Sequence, residues 1–253
     1  MRNPSLPEQE YDEWCRCQFA MLRQKIEPYA VEMTMPCPYG LPRTARFAQA
    51  LFERLTDRQL EILFAAGYRR NGNSFYTMRC WDCRACLPIR LRVDRFRPNR
   101  SQRRALRRNQ DLCVSLDELQ LDLDHLELCD LFLQTRYPRE QNRAHGYYGE
   151  FFCNNIADTR QLQFRLGERL LGSSIIDIGR NFMNAVYFYF DPNEARRSLG
   201  VFNILSLIDL CQRDGIDYLY LGYYIAETRA MRYKAAFRPH QLFVDERWVD
   251  GGE

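Results

Sequence analysis

Apolar and polar positions recur along the chain with two periods, helical and extended, and these lay out the elements. Between Thr56 and Ala66, Leu60, Leu63 and Phe64 fall on one helical face, and Gly67 is placed to end the helix. Asn71-Gly72-Asn73 is turn chemistry, and the apolar run behind it predicts a short strand. The segment PIRLRVDRF alternates apolar and charged residues from Ile89 to Phe96, which predicts a strand with one wet, arginine-bearing face. The pattern then turns helical in QRRALRRNQ, with Ser101 positioned as its cap. Pro38, Gly40 and Pro42 make Cys37 to Arg46 a loop, and residues 1–30 read as partly helical and loosely packed.

After about residue 115 the style changes. Leu121 to Arg136 is an amphipathic helix, and YPREQNRAHGYYGEFF reads as a loop rich in polar and aromatic residues. Three strands follow, QLQFRLG, RLLGSSIIDIG and NAVYFYFD. Then come the helix SLGVFNILSLIDLCQRDG, the apolar strand IDYLYLGYY, a helix near AETRAMRYKAAF and a last strand near HQLFVDERW. A meander followed by alternating helix and strand predicts a mixed α/β (α+β) fold. The change of character divides the chain into a cysteine- and arginine-rich domain, 1–115, and a second domain, 116–253.

Composition adds limits. With 46% hydrophobic residues the chain can bury a core, and 27% charged residues suit it to water. It has no run of about 18 apolar residues, and its N-terminus lacks the basic start and apolar stretch of a secretory signal. A cytoplasmic protein with no membrane partner is the expectation. The net charge of +3 hides a strong local bias. Nine arginines and a single acid, Asp94, lie between Arg90 and Arg108, and an acidic stretch from Asp117 to Asp130 follows.

The ten cysteines are read as reduced, because the cytosol disfavours disulfides. Cys113, Cys129, Cys153 and Cys211 lie in apolar sequence and read as small buried hydrophobes. Cys80, Cys83 and Cys86 form two overlapping Cys-x-x-Cys steps, and Cys37 is the best fourth ligand for a tetrahedral metal. The same spacing suits an iron–sulfur cluster, and the plain alternative is reduced thiols in an arginine-rich turn. No Cys or His pair recurs soon after Cys86, which argues against a zinc finger.

In the helix carrying Gln102, the side chains of Arg100, Arg104, Arg107 and Arg108 share a face, with Arg103 flanking it. Such a cluster repels itself, and an anionic partner is its simplest explanation. Phosphate matches guanidinium forks best, so a nucleic acid is favoured over a solvated helix paired with the acidic stretch. No duplex-reading motif is present, and Tyr147-Tyr148 and Tyr223-Tyr224 suit stacking on unpaired nucleotides. Further on, a strand ends at Asp191-Pro192, and a loop carrying Arg197, Ser198 and Gly200 opens a helix whose free amides suit a phosphate or an oxyanion. This layout resembles acyl-CoA N-acyltransferases, but Phe202 stands where their last small residue belongs. It would crowd a pantetheine pyrophosphate, so no acyl-CoA is expected.

Eight blocks in register carry a stronger likeness: CPY (37–39), GYRRNGN (67–73), CWDCRACLPIRL (80–91), FRPNRSQRRALRRNQDL (96–112), FYFDP (188–192), RSLGVFNIL (197–205), YLYLGYYI (218–225) and MRYKAAFRP (231–239). Together they resemble the aminoacyl-tRNA–protein transferases, the family of eukaryotic arginyltransferases and bacterial aspartate/glutamate leucyltransferases. The resemblance implies a cysteine-bearing N-terminal domain packed on a GNAT-like acyltransferase domain with a mixed sheet. It implies transfer of leucine or arginine from aminoacyl-tRNA to the α-amino group of a protein or peptide starting with Asp or Glu. Cysteines at positions like Cys37, Cys80, Cys83 and Cys86 are linked in some members to an iron–sulfur cluster or zinc. Chain length and the cysteine pattern sit closer to the bacterial branch, hence leucine. A member arginylating one dedicated peptide, and a tRNA-binding or iron–sulfur/zinc sensing protein without catalysis, are the alternatives.

An aminoacyl ester is already activated, so the reaction needs an aligned amine, a proton acceptor and a steadied oxyanion. Asp191 or a main-chain path would take the proton. Tyr187, Tyr223 and Tyr224 would donate to the carbonyl or line the pocket, unless they are core. Arg232 or Lys234 would pair with the acceptor carboxylate, and Arg100, Gln102, Arg103, Arg104, Arg107, Arg108, Arg197, Ser198 and Gly200 would hold the tRNA. With three histidines, no Ser/His/Asp set is evident.

Overall fold

The computed structural model describes residues 7–251; the first six residues of the polar N-terminal stretch, and Gly252 and Glu253, lie outside the described residues. In chain order the elements are α1 (Glu8–Ile26), β1 (Val31–Pro36), β2 (Thr44–Leu51), α2 (Asp57–Ala65), β3 (Arg69–Asn71), β4 (Ser74–Met78), β5 (Leu87–Arg92), α3 (Arg100–Arg108), β6 (Cys113–Glu118), α4 (Leu123–Arg136), α5 (Ala144–Tyr147), β7 (Thr159–Leu166), β8 (Arg169–Ile178), β9 (Phe182–Phe190), α6 (Leu199–Asp214), β10 (Tyr218–Tyr224), α7 (Arg229–Arg232), β11 (Gln241–Val244) and β12 (Arg247–Asp250). This is the mixed α+β architecture the sequence predicts.

The chain folds into two compact units. The first holds the described residues up to 91 and from 220 onward, and the second holds 92–219. The boundary at 115 in the sequence marks a change of composition, whereas the compact units follow strand pairing. β11 pairs antiparallel with β5, with Leu242 opposite Ile89, so the C-terminal strands complete the N-terminal unit.

In the first unit, β1-β2-β4-β3 form an antiparallel sheet, and β12-β11-β5-β10 lie side by side. The helix α2 starts where its periodicity says it should, because Thr56 and Gln59 make a reciprocal capping box. Its apolar face fills the core, with Phe64 packed against Phe75 and Tyr220. The last strand expected from the sequence is a hairpin, β11 and β12, turned by Asp245 and Glu246 at positive φ. Arg90 differs from its expected wet position. It is fully buried, donates to Gln241 and to both carboxylate oxygens of Asp12 at 2.7 Å, and lies 4.3 Å from the Trp248 ring centroid.

In the second unit, β9-β8-β7-β6 form the antiparallel meander. β6 was not expected; it is an exposed strand whose Cys113, read as buried, is open to solvent. Cys153 is exposed as well, while Cys129 and Cys211 are buried as expected. The segment read as a loop, 137–152, contains α5 and a wide helical turn over Tyr148–Phe152, because Ala144, Tyr148 and Phe152 recur every four residues and bury together against Leu128, Phe132 and Tyr189. β9 carries one extra residue, Val186, where Ile175 pairs with Tyr187 and Ile176 with Ala185. α6 packs through Phe202 onto Phe164 of β7, and Gly215, at positive φ, ends the helix.

Candidate functional site

The arginine helix is amphipathic in an unusual sense: one face is cationic and the other is polar and buried. Its cap is Asn99 rather than Ser101. Asn99 accepts from the Gln102 amide at 3.0 Å, and the Gln102 side chain accepts from the Asn99 amide at 2.8 Å. Asn99 precedes the first helical residue and can adopt the extended cap backbone, while Ser101 is already inside the helix. Gln102 is therefore a folding residue, 3% exposed, with no surface for a phosphate. Gln102, Ala105 and Asn109 face inward, and Arg100, Arg103, Arg104, Arg107 and Arg108 are exposed.

The structure brings this helix to the loop that opens α6. Asn109 donates to the carbonyls of Ala105 and Arg197, both at 2.9 Å, and Arg108 donates to the carbonyl of Arg196. Arg197 pairs with both oxygens of Asp111 at 2.8 Å and with Glu194 at 3.1 Å. Its guanidinium holds the Asp111 carboxyl below the usual range. Arg197 is thus a brace of the loop. Ser198 sits at φ 56°, and its carbonyl accepts from the amides of Val201 and Phe202. The exposed cationic surface is α3, with Ser198 and the partly exposed Gly200 beside the docked end of the helix.

Asp191 is 5% exposed and already engaged. It accepts from the Asn193 amide at 2.9 Å and pairs with Arg169, which also reaches Glu194. One partner on each oxygen favours the charged carboxylate and leaves further lone pairs on both oxygens. Tyr187, on the same strand, stands half-buried among Phe132, Tyr147 and Phe152, with ring centroids 5.3 to 6.3 Å away. Its hydroxyl pairs with that of Tyr147, and burial pushes its acidity well below that of free tyrosine. Behind it Gln161 donates to Ser173 at 2.7 Å and Tyr189 at 3.1 Å, and the Tyr148 and Tyr189 hydroxyls meet at 2.6 Å. Phe132, Gln161 and Tyr189 carry no motif spacing, and sequence reading missed them. The pattern Tyr147-Tyr148…Phe151-Phe152 was the one available signal.

In the first unit, the four expected cysteines share a neighbourhood. Burial and the nearby thiols of Cys37, Cys80 and Cys83 push the Cys86 thiol up to about 12. The donor set suits zinc or an iron–sulfur cluster chemically. Their arrangement does not yet form a ligand cage: among the described residues no trio of His, Cys, Asp or Glu is spaced to hold a metal ion. Cys80 accepts from the Arg46 amide at 3.4 Å and donates to the Arg46 carbonyl, which turns its sulfur to β2.

Tyr223 and Tyr224 end β10, and they differ. Tyr224 is partly exposed, while Tyr223 is 2% exposed and edge-on to Tyr39 and Tyr76, with ring centroids 6.1 and 6.4 Å away. Lys234 donates to the Tyr223 carbonyl at 2.9 Å. Its ammonium is enclosed, and burial with Arg69 nearby pulls its pKa down to about 7. Arg232, the other expected cation, is exposed on α7. Arg69 was missed, because its sequence neighbours give no sign that it meets a lysine 165 positions further on.

Two family models match the chain: "Arginine-tRNA-protein transferase, N terminus" over residues 35–104 and "Arginine-tRNA-protein transferase, C terminus" over residues 124–244. A protein of Saccharophagus degradans named aspartate/glutamate leucyltransferase is 38% identical, covering 85% of this chain and 92% of that one. Proteins of the same name from Nitrosococcus oceani and Chromobacterium violaceum are 37% and 36% identical, each over 84% of this chain and 91% and 89% of theirs. Matches of this depth, spanning both units and the cysteine, arginine and lysine segments just described, make the chain a member of the arginine-tRNA-protein transferase family and an aminoacyltransferase.

Proposed function

We propose that the protein moves leucine from aminoacyl-tRNA to the α-amino group of a polypeptide that begins with Asp or Glu. The observation that carries this reading is the set of relatives, 36–38% identical over most of both chains, that bear the name aspartate/glutamate leucyltransferase. Three features of the chain support it. The exposed arginines of α3 suit tRNA phosphates. The aromatic group of Phe132, Tyr147, Tyr187 and Phe152 suits an apolar leucyl side chain better than a guanidinium needing carboxylate partners. Lys234 is a cation fit for an acceptor carboxylate.

In this reading the ester supplies the activation, and the protein supplies position. The arginines fix the tRNA, the aromatic group orients the aminoacyl end, and the Tyr187 hydroxyl donates to the ester carbonyl as charge builds on it. The incoming amine loses its proton to Asp191 or along a main-chain path, with Arg169 and the Asn193 amide holding the carboxylate in place. Cys37, Cys80, Cys83 and Cys86 are the residues that would hold zinc or an iron–sulfur cluster, which would brace their loop. No acyl-CoA takes part, because Phe202 fills the place of a small residue, 7% exposed against Phe164. Among the described residues no helix is long and apolar enough to cross a membrane, and a tRNA donor favours work in the cytoplasm.

The test is a transfer assay with labelled Leu-tRNA and Arg-tRNA side by side, using peptides that begin with Asp, Asn or Ala. Transfer of leucine to the Asp peptide is expected. Transfer from Arg-tRNA alone would overturn the donor assignment, and no transfer from either would overturn the enzyme's reading as a tRNA-dependent modifier of such peptides.

A further inference from the structure

Cations withdrawn from water need counter-charges, and among the described residues two in the first unit lack them, the enclosed Lys234 and the partly buried Arg69. Lys234 donates to the Tyr223 carbonyl and to the Met231 sulfur, both uncharged. Arg69 lies with its guanidinium carbon 5.6 Å from the Tyr223 ring centroid, and its buried Nε has no partner. The Tyr223 hydroxyl, also buried, meets only the backbone of Met78. Among the described residues no carboxylate forms an ion pair with Arg69 or Lys234, and the two cations destabilise each other. Glu227, exposed, bears on Cys86. Unpaired charge withdrawn from water is costly; Lys234 sheds part of that cost through its lowered pKa, and a ligand of negative sign would restore its proton and pair with Arg69 as well.

The backbone is shaped for this pair. Gly222 sits at φ 80°, and a Cβ there would come within 1.2 Å of the Arg69 Nη1. The missing side chain is therefore what lets the guanidinium lie across β10. The rings of Tyr39 and Tyr76 stand edge-on to Tyr223, with centroids 6.1 and 6.4 Å away, and make the surroundings of the pair aromatic.

We propose that Arg69 and Lys234 together clamp the side-chain carboxylate of the acceptor's first residue, with the Tyr223 hydroxyl as third donor and Gly222 as the position that admits Arg69. This rests on the reading that the acceptor begins with Asp or Glu, and it adds that Arg69 sets that preference. A guanidinium offers two parallel N–H groups to the two oxygens, and the ammonium adds a point charge. An amide in place of the carboxylate leaves both cations unpaired, which predicts discrimination of about thirtyfold or more between Asp and Asn peptides.

The experiment measures kcat/KM for Asp- and Asn-started peptides with wild type, Arg69→Met and Arg69→Lys, checking each variant's fold by circular dichroism. Arg69→Met is expected to collapse the Asp/Asn ratio at least tenfold through KM, and Arg69→Lys to restore part of it. A purely structural role would lower both peptides alike and leave the ratio standing, which would overturn the clamp. A parallel loss of tRNA affinity in Arg69→Met would overturn it too, in favour of a phosphate contact. Wild type that transfers to neither peptide would sink the acceptor reading itself, a result separate from the ratio. Binding gives a readout free of turnover. Calorimetry of an Asp-started peptide at pH 7.5, in two buffers of different ionisation heat, is expected to show uptake of about half a proton or more as the carboxylate charges Lys234; no uptake would reject Lys234 as a member of the clamp.

Discussion

The two faces of α3 predict opposite phenotypes for neighbouring residues. Gln102 is 3% exposed, and its side chain closes the capping box with Asn99 at 2.8 Å. Gln102→Ala removes that bond and leaves a buried gap, at a cost of about 1–3 kcal/mol. For a chain of this size that is about 3–9 °C in Tm. Arg104 and Arg107 are exposed, and no buried group depends on them. Arg104→Gln with Arg107→Gln should leave Tm within about 1–2 °C and act on tRNA alone. Two lost phosphate contacts flatten the plot of log Kd against log salt by about 1.4–1.8. The variant's deficit against wild type is then about tenfold smaller at 200 mM salt than at 50 mM. Fluorescence anisotropy with tRNA from 50 to 300 mM KCl, beside thermal unfolding, reads both quantities. A flattened slope in Gln102→Ala with Tm unchanged, or an unchanged slope in the arginine pair, would refute the assignment of the two faces.

Two further expectations concern buried charge. Lys234 holds its proton only up to about pH 7 in the folded protein, against about 10.4 when unfolded. Between those values the unfolded chain binds the extra proton, so this group makes stability rise with pH, by at most about 1.4 kcal/mol per unit. Urea unfolding of Lys234→Met at pH 7.0 and 8.5 should show that rise reduced relative to wild type, and identical pH dependence would contradict the burial argument. Asp12→Ala leaves Arg90, fully buried, without its carboxylate and should cost about 3–5 kcal/mol, part of which Arg90→Met in the same chain restores. A fall below about 1 kcal/mol in chemical denaturation would show that Asp12 is not what holds the Arg90 charge inside the fold.

Local pattern was legible where it decided local structure. The periodicity of Leu60, Leu63 and Phe64 located α2, and the three apolar runs after residue 159 located β7, β8 and β9. The pattern failed where a partner far along the chain decides. PIRLRVDRF alternates as a half-wet strand does, yet Arg90 is buried because Asp12 on α1 and Gln241 on β11 reach it. The aromatic segment after Tyr137 has polar neighbours, so it resembles a loop, but Ala144, Tyr148 and Phe152 find a shared core against α4. The C-terminal strands were read with the second domain because they follow it in sequence, whereas β11 pairs with β5.

The arginines make the same point about the site. In sequence Arg69, Arg90, Arg104 and Arg197 look alike, four cations in a basic first half and its acyltransferase-like loop. The structure gives them three physical states. Arg90 and Arg197 are held in bidentate contact with Asp12 and Asp111, and their charge is spent inside the fold. Arg104 is exposed and hydrated, so it can trade water for phosphate at little cost and read no particular chemistry. Arg69 is neither paired nor freely hydrated, since its Nε is buried without a partner beside an enclosed lysine. Only that third state makes the identity of a ligand matter strongly, because a ligand of the wrong charge leaves the desolvation uncompensated. The two proposals, α3 for tRNA and Arg69 for the acceptor, therefore assign affinity and discrimination to different arginines, and a variant of one kind should not mimic a variant of the other.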